Sequence, residues 1–323
     1  VITEFPRDHL HREVSRTQGH IVNRRQYDRL GRLSRQTCYH HTQQGTRPLN
    51  EMRWDYDLRH NLVAMQEETA PYGWKSYQYD NNEQLLNRRS DRYSPETYYY
   101  DAAANILDDA QSSACLHNRV TDYQGYHYEY DIFGRTTKKA RFGEYWTYSY
   151  NSDHQLTGAL HSSGNPGEKR CRVQFSYDPL GRRLHKMVDY LPALHTPEAY
   201  QRLPLNAHVC GTTTFLWEGL RLLSERRQGV EMLYVYEDND SYSPLARIDH
   251  ENGKKSVYYF RCQPNGLPDA LDDSEGNPQW YARFTSWGKT EVESGRLHTP
   301  GHKYSQNLRF QGQYLDRETG LHY

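Results

Sequence analysis

The sequence predicts an all-β fold in which hairpins pair edge to edge into a continuous curved or spiralling antiparallel sheet. Three observations lead there: a Tyr-Asp repeat runs along the 323 residues, aromatic side chains alternate with polar ones just ahead of it, and turn-forming residues follow it at a short offset. Repetition of a short motif decides architecture before local propensity does. The clearest copy is Tyr130-Asp131-Ile132-Phe133-Gly134-Arg135. Upstream, Tyr126, Tyr128 and Tyr130 alternate with His127 and Glu129, so the three rings share one strand face, read as the buried one. Asp131 can accept from backbone N–H groups two residues on, Gly134 supplies the positive φ of a bulged hairpin loop, and Arg135 opens the return strand.

Two further copies are near-perfect: Tyr27-Asp28-Arg29-Leu30-Gly31-Arg32 and Tyr177-Asp178-Pro179-Leu180-Gly181-Arg182. Four are degenerate. Tyr56-Asp57 leads to Asn61-Leu62, Tyr79-Asp80 to Gln84-Leu85, Tyr100-Asp101 to Asn105-Ile106, and Tyr150-Asn151 to Gln155-Leu156. In these, Asn is expected at the left-handed turn position, which it tolerates almost as glycine does. Successive repeat tyrosines lie 29, 23, 21, 30, 20 and 27 residues apart, a length that fits one hairpin each with loops of varying size.

Residues 1–26 read as the second half of a repeat whose first half is missing, and Val1 in place of Met is expected of a processed or trimmed piece. Residues 1–183 hold the regular repeats. Residues 184–211 form a Pro-containing excursion, with a short helix expected near Pro197-Glu198-Ala199-Tyr200. Residues 212–323 carry variant repeats: Thr213, Phe215 and Trp217 on one strand face before Gly219, then Leu233–Glu237 to Pro244–Ile248, and two hairpin-like segments around Pro264-Asn265-Gly266 and Asp273–Asn277. With no break in composition, residues 1–323 are read as a single array.

Leu, Ile, Val and Phe make up about 17% of the chain, which taken alone suggests disorder. A net charge of −1, 29 Tyr and 6 Trp oppose that reading. Tyrosine has an apolar body and a polar tip, so a sheet faced with it buries area without a thick aliphatic core. Forty basic and 41 acidic residues give no electrostatic footprint for nucleic acid, and no apolar run has the length of a membrane span. The five cysteines, at 38, 115, 171, 210 and 262, are odd in number and never paired as C-x-x-C, so they read as small apolar fillers rather than disulfides or zinc ligands.

The repeated YDxxGR, the FLWEGLRLL stretch with Trp217 and Gly219, YVYEDNDSYSPLARI, FTSWGK with Trp287 and Gly288, and the terminal LRFQGQYLDRETGLHY with Gly312 and Gly320 resemble the core of bacterial Rhs (rearrangement hot spot), or YD-repeat, proteins over nearly the whole chain. The resemblance implies a hollow cocoon-like shell that encloses a C-terminal toxin delivered by type VI secretion in competition between bacteria. It implies as partners the remaining parts of the same polypeptide, a VgrG spike, an Eag-type chaperone and, only through the toxin, an immunity protein. Related shells occur in insecticidal toxin complexes and in teneurins, which keeps open a second class: a surface adhesion or carbohydrate-binding array. Self-cleavage in the family belongs to an aspartyl-protease-like segment expected downstream of Tyr323, with the toxin after it.

Enzyme signatures are missing: there is no G-x-x-x-x-G-K-[ST], G-x-S-x-G or H-E-x-x-H. The 17 histidines include adjacent His40 and His41, which would face opposite sides of a strand, so no metal site and no cofactor is expected. The repeat aspartates are assigned to turn chemistry and the recurrent rings to structure. The one N-x-S triplet, Asn239-Asp240-Ser241, carries no weight.

Overall fold

The computed structural model describes residues 3–68, 73–112, 114–204, 207, 210–238, 240–297 and 304–323. Asn239 of the N-x-S triplet, and parts of the excursion, lie outside them. Among the described residues there is no α-helix. The helical turns among the described residues are two 3-10 segments, Glu198–Tyr200 at the place where a short helix was expected and Phe310–Gly312. Strands are antiparallel, and sequence neighbours are sheet neighbours.

The chain forms two compact units. The first holds residues 1–99 and 257–293. Its main sheet has eight strands in sequence order, from Ser15–Gln18 to Glu96–Thr97. The strands around Tyr259, Leu271 and Trp280 pack against it: the His20 N–H donates to the Ser274 carbonyl at 3.2 Å, and the buried Arg88 binds Glu291 at 2.7 Å. Ile21, Cys38 and Trp54 from one layer and Leu271, Trp280 and Ala282 from the other are buried.

The second unit holds residues 100–256 and 294–323. Strands from Asp122–Tyr123 to Pro244–Glu251 again follow one another in order. Their core is Tyr148, Ala159, Cys171, Val173, Phe175 and Val188, flanked by Trp146, Tyr150, Tyr177 and Leu321. Fully burying an apolar side chain of this kind is worth about 1.5–3 kcal/mol. Trp146 and Tyr148 stack at 6.5 Å, Tyr126 and Tyr128 lie 6.4 Å apart, and Lys139 reaches over Tyr126 at 4.4 Å, so these ring sets share a face.

The ladder is not unbroken. Around Tyr100, pairing shrinks to Tyr99–Tyr100 with Ile106–Leu107 and Cys115–Leu116 with Arg119–Val120. Asp101, Asp109 and Ser112 turn the backbone upon itself there by accepting its N–H groups, and such local bonds compete with ladder bonds. Among the cysteines Cys38 and Cys171 are buried, but Cys210 is exposed and so fills no core.

Six of the regular hairpins carry a register shift just before the repeat tyrosine, at Gln26/Tyr27, Asp55/Tyr56, Gln78/Tyr79, Glu129/Tyr130, Ser149/Tyr150 and Ser176/Tyr177. That is the bulge left when a turn needs one residue more on one strand than on the other. At the central copy the Asp131 N–H donates to Arg135 O and the Gly134 N–H to Asp131 O, both at 3.0 Å, with φ 82° at Gly134. A Cβ there would also sit 3.2 Å from the Arg119 guanidinium. Gly134→Val is therefore expected to destabilise by about 1–3 kcal/mol through backbone strain, read as a lower thermal midpoint; an unchanged midpoint contradicts the turn geometry.

Candidate functional site

In the near-perfect repeats the Asp and Arg side chains close the turn, and the Tyr and Arg side chains join one turn to the next. In the near-perfect copies Asp Oδ1 accepts two backbone N–H groups, two and four residues on, while Oδ2 takes the Nε–H of the repeat arginine. For Asp131 these are Phe133 N at 2.9 Å, Arg135 N at 3.0 Å and Arg135 Nε at 2.6 Å. Asp28 with Arg32 and Asp178 with Arg182 repeat the arrangement. Gly31 and Gly181 have φ of 82° and 81°.

In the degenerate copies the left-handed residue is not the expected Asn. It is His60, Glu83, Ala104 and His154, with φ between 63° and 70°, one position earlier. Asn61 and Asn105 occupy the arginine's place instead, donating Nδ2–H to Asp57 Oδ2 at 3.2 Å and Asp101 Oδ2 at 2.8 Å. Gln84 donates its backbone N–H to Asp80 Oδ1, and Gln155 its own to Asn151 Oδ1. In all four the backbone N–H of the fifth residue bonds the Asp or Asn side chain, and the loop so closed carries a non-glycine residue in the left-handed region.

Between repeats the clasp has three parts. The tyrosine hydroxyl donates to the carbonyl just past the preceding turn: Tyr56 to Leu33 O at 2.9 Å, Tyr79 to Leu62 O at 2.9 Å, Tyr150 to Thr136 O at 2.8 Å, Tyr177 to Leu156 O at 2.6 Å. Tyr27 and Tyr130 bond Glu13 O and Val120 O in the same way. Where the preceding turn ends in arginine, its guanidinium lies over that tyrosine ring, Arg32 over Tyr56 and Arg135 over Tyr150, both at 4.8 Å. Its Nη1–H reaches the carbonyl of the next repeat's Asp or Asn, Arg32 to Asp57 O at 3.0 Å and Arg135 to Asn151 O at 3.3 Å. In the variant repeat Trp217 takes over, donating Nε1–H to Arg183 O at 2.7 Å, while Arg182 Nη1 reaches Gly219 O, where φ is 57°. Tyr100 sits in its two-residue strand. Trp287, largely exposed, meets Tyr98 edge-on beside Gly288 at φ 84°.

Sequence reasoning missed one further turn. Asp8 to Arg12 builds the same loop, with His11 at φ 61° and Arg12 over Tyr27 at 4.6 Å, but Arg7 stands where the tyrosine would be and no glycine marks it.

It also missed a strap of buried charge in the second unit. Residues 304–323 lie along the strands from Arg183 to Glu251 with Ser305, Gln306, Asn307, Leu308, Tyr314 and Asp316 almost fully buried. Glu225, with no exposure, accepts the hydroxyls of Tyr234 at 2.7 Å and Tyr314 at 2.6 Å. Burial first, then the Glu225 charge, pushes both phenols above their usual range. Arg183 binds Asp316 at 2.6 Å, and Lys186 binds Glu318 at 2.8 Å and Asp316 at 3.4 Å. Burial pulls Lys186 down, but the carboxylates outweigh it and hold the ammonium charged. Arg247 pairs with Asp249 and donates to Tyr304 O at 2.9 Å. Gly312 (φ 79°) and Gly320 (φ 69°) turn the strap; a Cβ on Gly312 would meet Tyr242 at 2.7 Å. The one sequence signal was charge in phase with the buried rings.

Chemically these groups bind one another. Among the described residues no cluster of three His, Cys, Asp or Glu could hold a metal ion.

A family model described as teneurin YD-shell matches residues 4–195, more than half of the chain and every regular repeat. The chain belongs to this YD-shell family. Its relatives make it an Rhs/YD-repeat protein. "Double-stranded DNA deaminase toxin A" of Burkholderia cenocepacia is 33% identical over 344 residues, covering 100% of this chain and 23% of the relative. "Probable deoxyribonuclease RhsB" of Dickeya dadantii is 24% identical, covering 97% and 20%, and "Toxin protein Tse5" of Pseudomonas aeruginosa is 25% identical, covering 99% and 27%. The YD-shell chain thus spans 20–27% of these relatives' lengths. Two solved structures share its fold: the Photorhabdus luminescens Tc holotoxin pore (TM-score 0.58, 14% identity, covering 100% of this chain and 17% of that chain) and TcdB2-TccC3 (0.59, 15%, 100% and 18%).

Two predictions follow from the geometry. Removal from water is the largest influence on Asp28, Asp57, Asp131 and Asp178 and raises their pKa, but the backbone N–H groups and the fifth residue of the turn together hold them below the ordinary value. A depressed folded pKa contributes stability above the unfolded value and loses it as pH falls through the folded one. Urea midpoints measured across pH are therefore expected to fall below about pH 4, and to fall less steeply when these four are changed to Asn. In the strap, Glu225→Ala leaves two phenols and Arg227 without their buried partner and is expected to cost about 3–5 kcal/mol in denaturant melts, against about 0.5–1.5 kcal/mol for Tyr177→Phe.

Proposed function

We propose that residues 1–323, the excursion 184–211 included, are one non-catalytic wall of a shell that encloses a toxin carried at the C-terminal end of the same polypeptide. The observation that carries this reading is the spine: a repeat tyrosine bonds back to the carbonyl past the preceding turn, an aspartate closes its own turn, and an arginine where present reaches forward to the next, as Tyr150, Asp131 and Arg135 do. What results is an extending sheet with structural uses for its polar groups. Two toxin-named relatives aligned over 99–100% of the chain support it. So does the fold shared with the Tc structures.

Within this reading the protein is made in the bacterial cytoplasm and exported by type VI secretion, to the outside or into a competing cell. Its first partners are the N-terminal region, plug and toxin of its own polypeptide. A VgrG spike and an Eag-type chaperone serve delivery, and an immunity protein meets only the toxin. Support for this route is the Rhs-type motif series and the relative named toxin Tse5.

The test is expression of residues 1–323 in bacteria without an immunity protein, followed by growth curves and by intact mass over time. Unimpaired growth and constant mass are expected. Growth arrest, or time-dependent cleavage within the chain, overturns the non-catalytic assignment.

A further inference from the structure

The first compact unit contains a cavity of about 70 Å3 between its main sheet and the strands around Arg261 and Arg283. One probe-sized water needs only about 10–15 Å3 of such space, so the cavity admits a small organic group. Strand pairing explains what faces it. Trp54 pairs with Met65, Met65 with Lys75 and Lys75 with Ser90, a single rank across four strands on one face. In the neighbouring rank Met52 pairs with Glu67, and Gly73 leaves the space that the Arg92 guanidinium fills, 2.6 Å from where a Cβ would be.

Most polar groups of the lining already have partners. Glu67 binds Arg92 at 3.2 Å and accepts from Asn50 at 2.8 Å, and Arg261 binds Asp272 at 2.7 Å. Two groups differ. Lys75, 8% exposed, has no carboxylate: the nearby Glu96 and Glu291 are both taken by Arg88, and its Nζ rests only over the Tyr93 ring at 5.5 Å. Trp54, 5% exposed, has an indole N–H with no acceptor. A buried ammonium without a carboxylate and a buried indole N–H without an acceptor, both lining the same space, are uncommon together. Burial, with the Arg88 charge beyond it, brings Lys75 down to about 8, as expected of an ammonium without a counter-charge.

We propose that this cavity is a binding site for a short-chain monocarboxylate, its carboxylate on Lys75 Nζ with the Trp54 N–H as second donor, and its apolar chain against Met52 and Met65. A monoanion fits better than phosphate, because the guanidiniums of the lining are engaged, Arg92 and Arg283 with Glu67 and Arg261 with Asp272, which leaves the single Lys75 ammonium to answer an incoming negative charge. The carboxylate can come from a free acid or from a Glu side chain of a polypeptide, and the test separates the two sources.

Residues 1–323 labelled at the indole nitrogens are titrated at pH 7 with butyrate and with butyramide, then with N-acetyl-glutamate methylamide and its glutamine counterpart, following the Trp54 N–H resonance. Saturable shifts with butyrate and not butyramide support a free acid, shifts with the glutamate and not the glutamine compound a polypeptide source, and both together the shared chemistry. Lys75→Met is expected to weaken binding at least about tenfold, and Trp54→Phe, which keeps a ring, by less. Comparing the charged and neutral probes on the unaltered protein decides the matter even where a variant does not fold. Equal response to charged and neutral probes, tighter binding of inorganic phosphate, or no saturable shift overturns the proposal.

Discussion

A sheet built of successive hairpins has one weak point, the join between them, and the clasp of tyrosine hydroxyl, arginine plane and aspartate turn is what secures it here. Ladder hydrogen bonds hold strands side by side, but they do not fix how far each hairpin twists against the next. The hydroxyl of Tyr150 on Thr136 O and the guanidinium of Arg135 lying over the Tyr150 ring fix it from two directions. Each part is modest, about 1 kcal/mol for the hydrogen bond and a similar amount for the cation over the ring. The effect is cumulative because the hydroxyl bond recurs at six repeat tyrosines, and contacts between nearest neighbours add along an array. An aliphatic core as thick as that of an ordinary domain is then unnecessary, which fits the small share of Leu, Ile, Val and Phe.

The second unit solves a different problem with costlier means. Burying Arg183, Lys186, Glu225 and Asp316 takes charge out of water, and pairing returns only part of that. What the arrangement gives is register. A strap with Tyr314, Asp316 and Glu318 at fixed spacing fits Glu225, Arg183 and Lys186 in one alignment. A one-residue slip would leave several buried charges unpaired. An apolar strap would slide with far less penalty, so the polar contacts specify position more than they add stability.

The fold class was legible because its signals are local: alternation in Tyr126 to Tyr130 needs only five residues, and Asp131 to Arg135 only five more. Where the reading erred, the missing term was also local but chemical. The Asn of the degenerate copies was given the glycine's role, whereas it replaces the arginine's hydrogen bond and leaves positive φ to His60 or Ala104. The Asp8 turn escaped because it has neither tyrosine nor glycine. The strap and the Lys75 cavity were out of reach for another reason. Their partners lie far apart in the sequence, Tyr314 from Glu225 and Arg261 from Cys38, and no periodicity links residues that meet only once the sheets have packed.

At Tyr27, Tyr56, Tyr79, Tyr130, Tyr150 and Tyr177 the hydroxyl donates to a main-chain carbonyl. The acceptors at Leu33, Leu62, Thr136 and Leu156 are thus present whatever residue stands there. Evolution can rewrite one half of each junction at no cost to the bond, and Trp217 shows that even the donor can be exchanged for another ring with an N–H. A scaffold joined in this way is free to drift. It can share as little as 14% of its residues with a Tc toxin structure and keep the same course of the backbone.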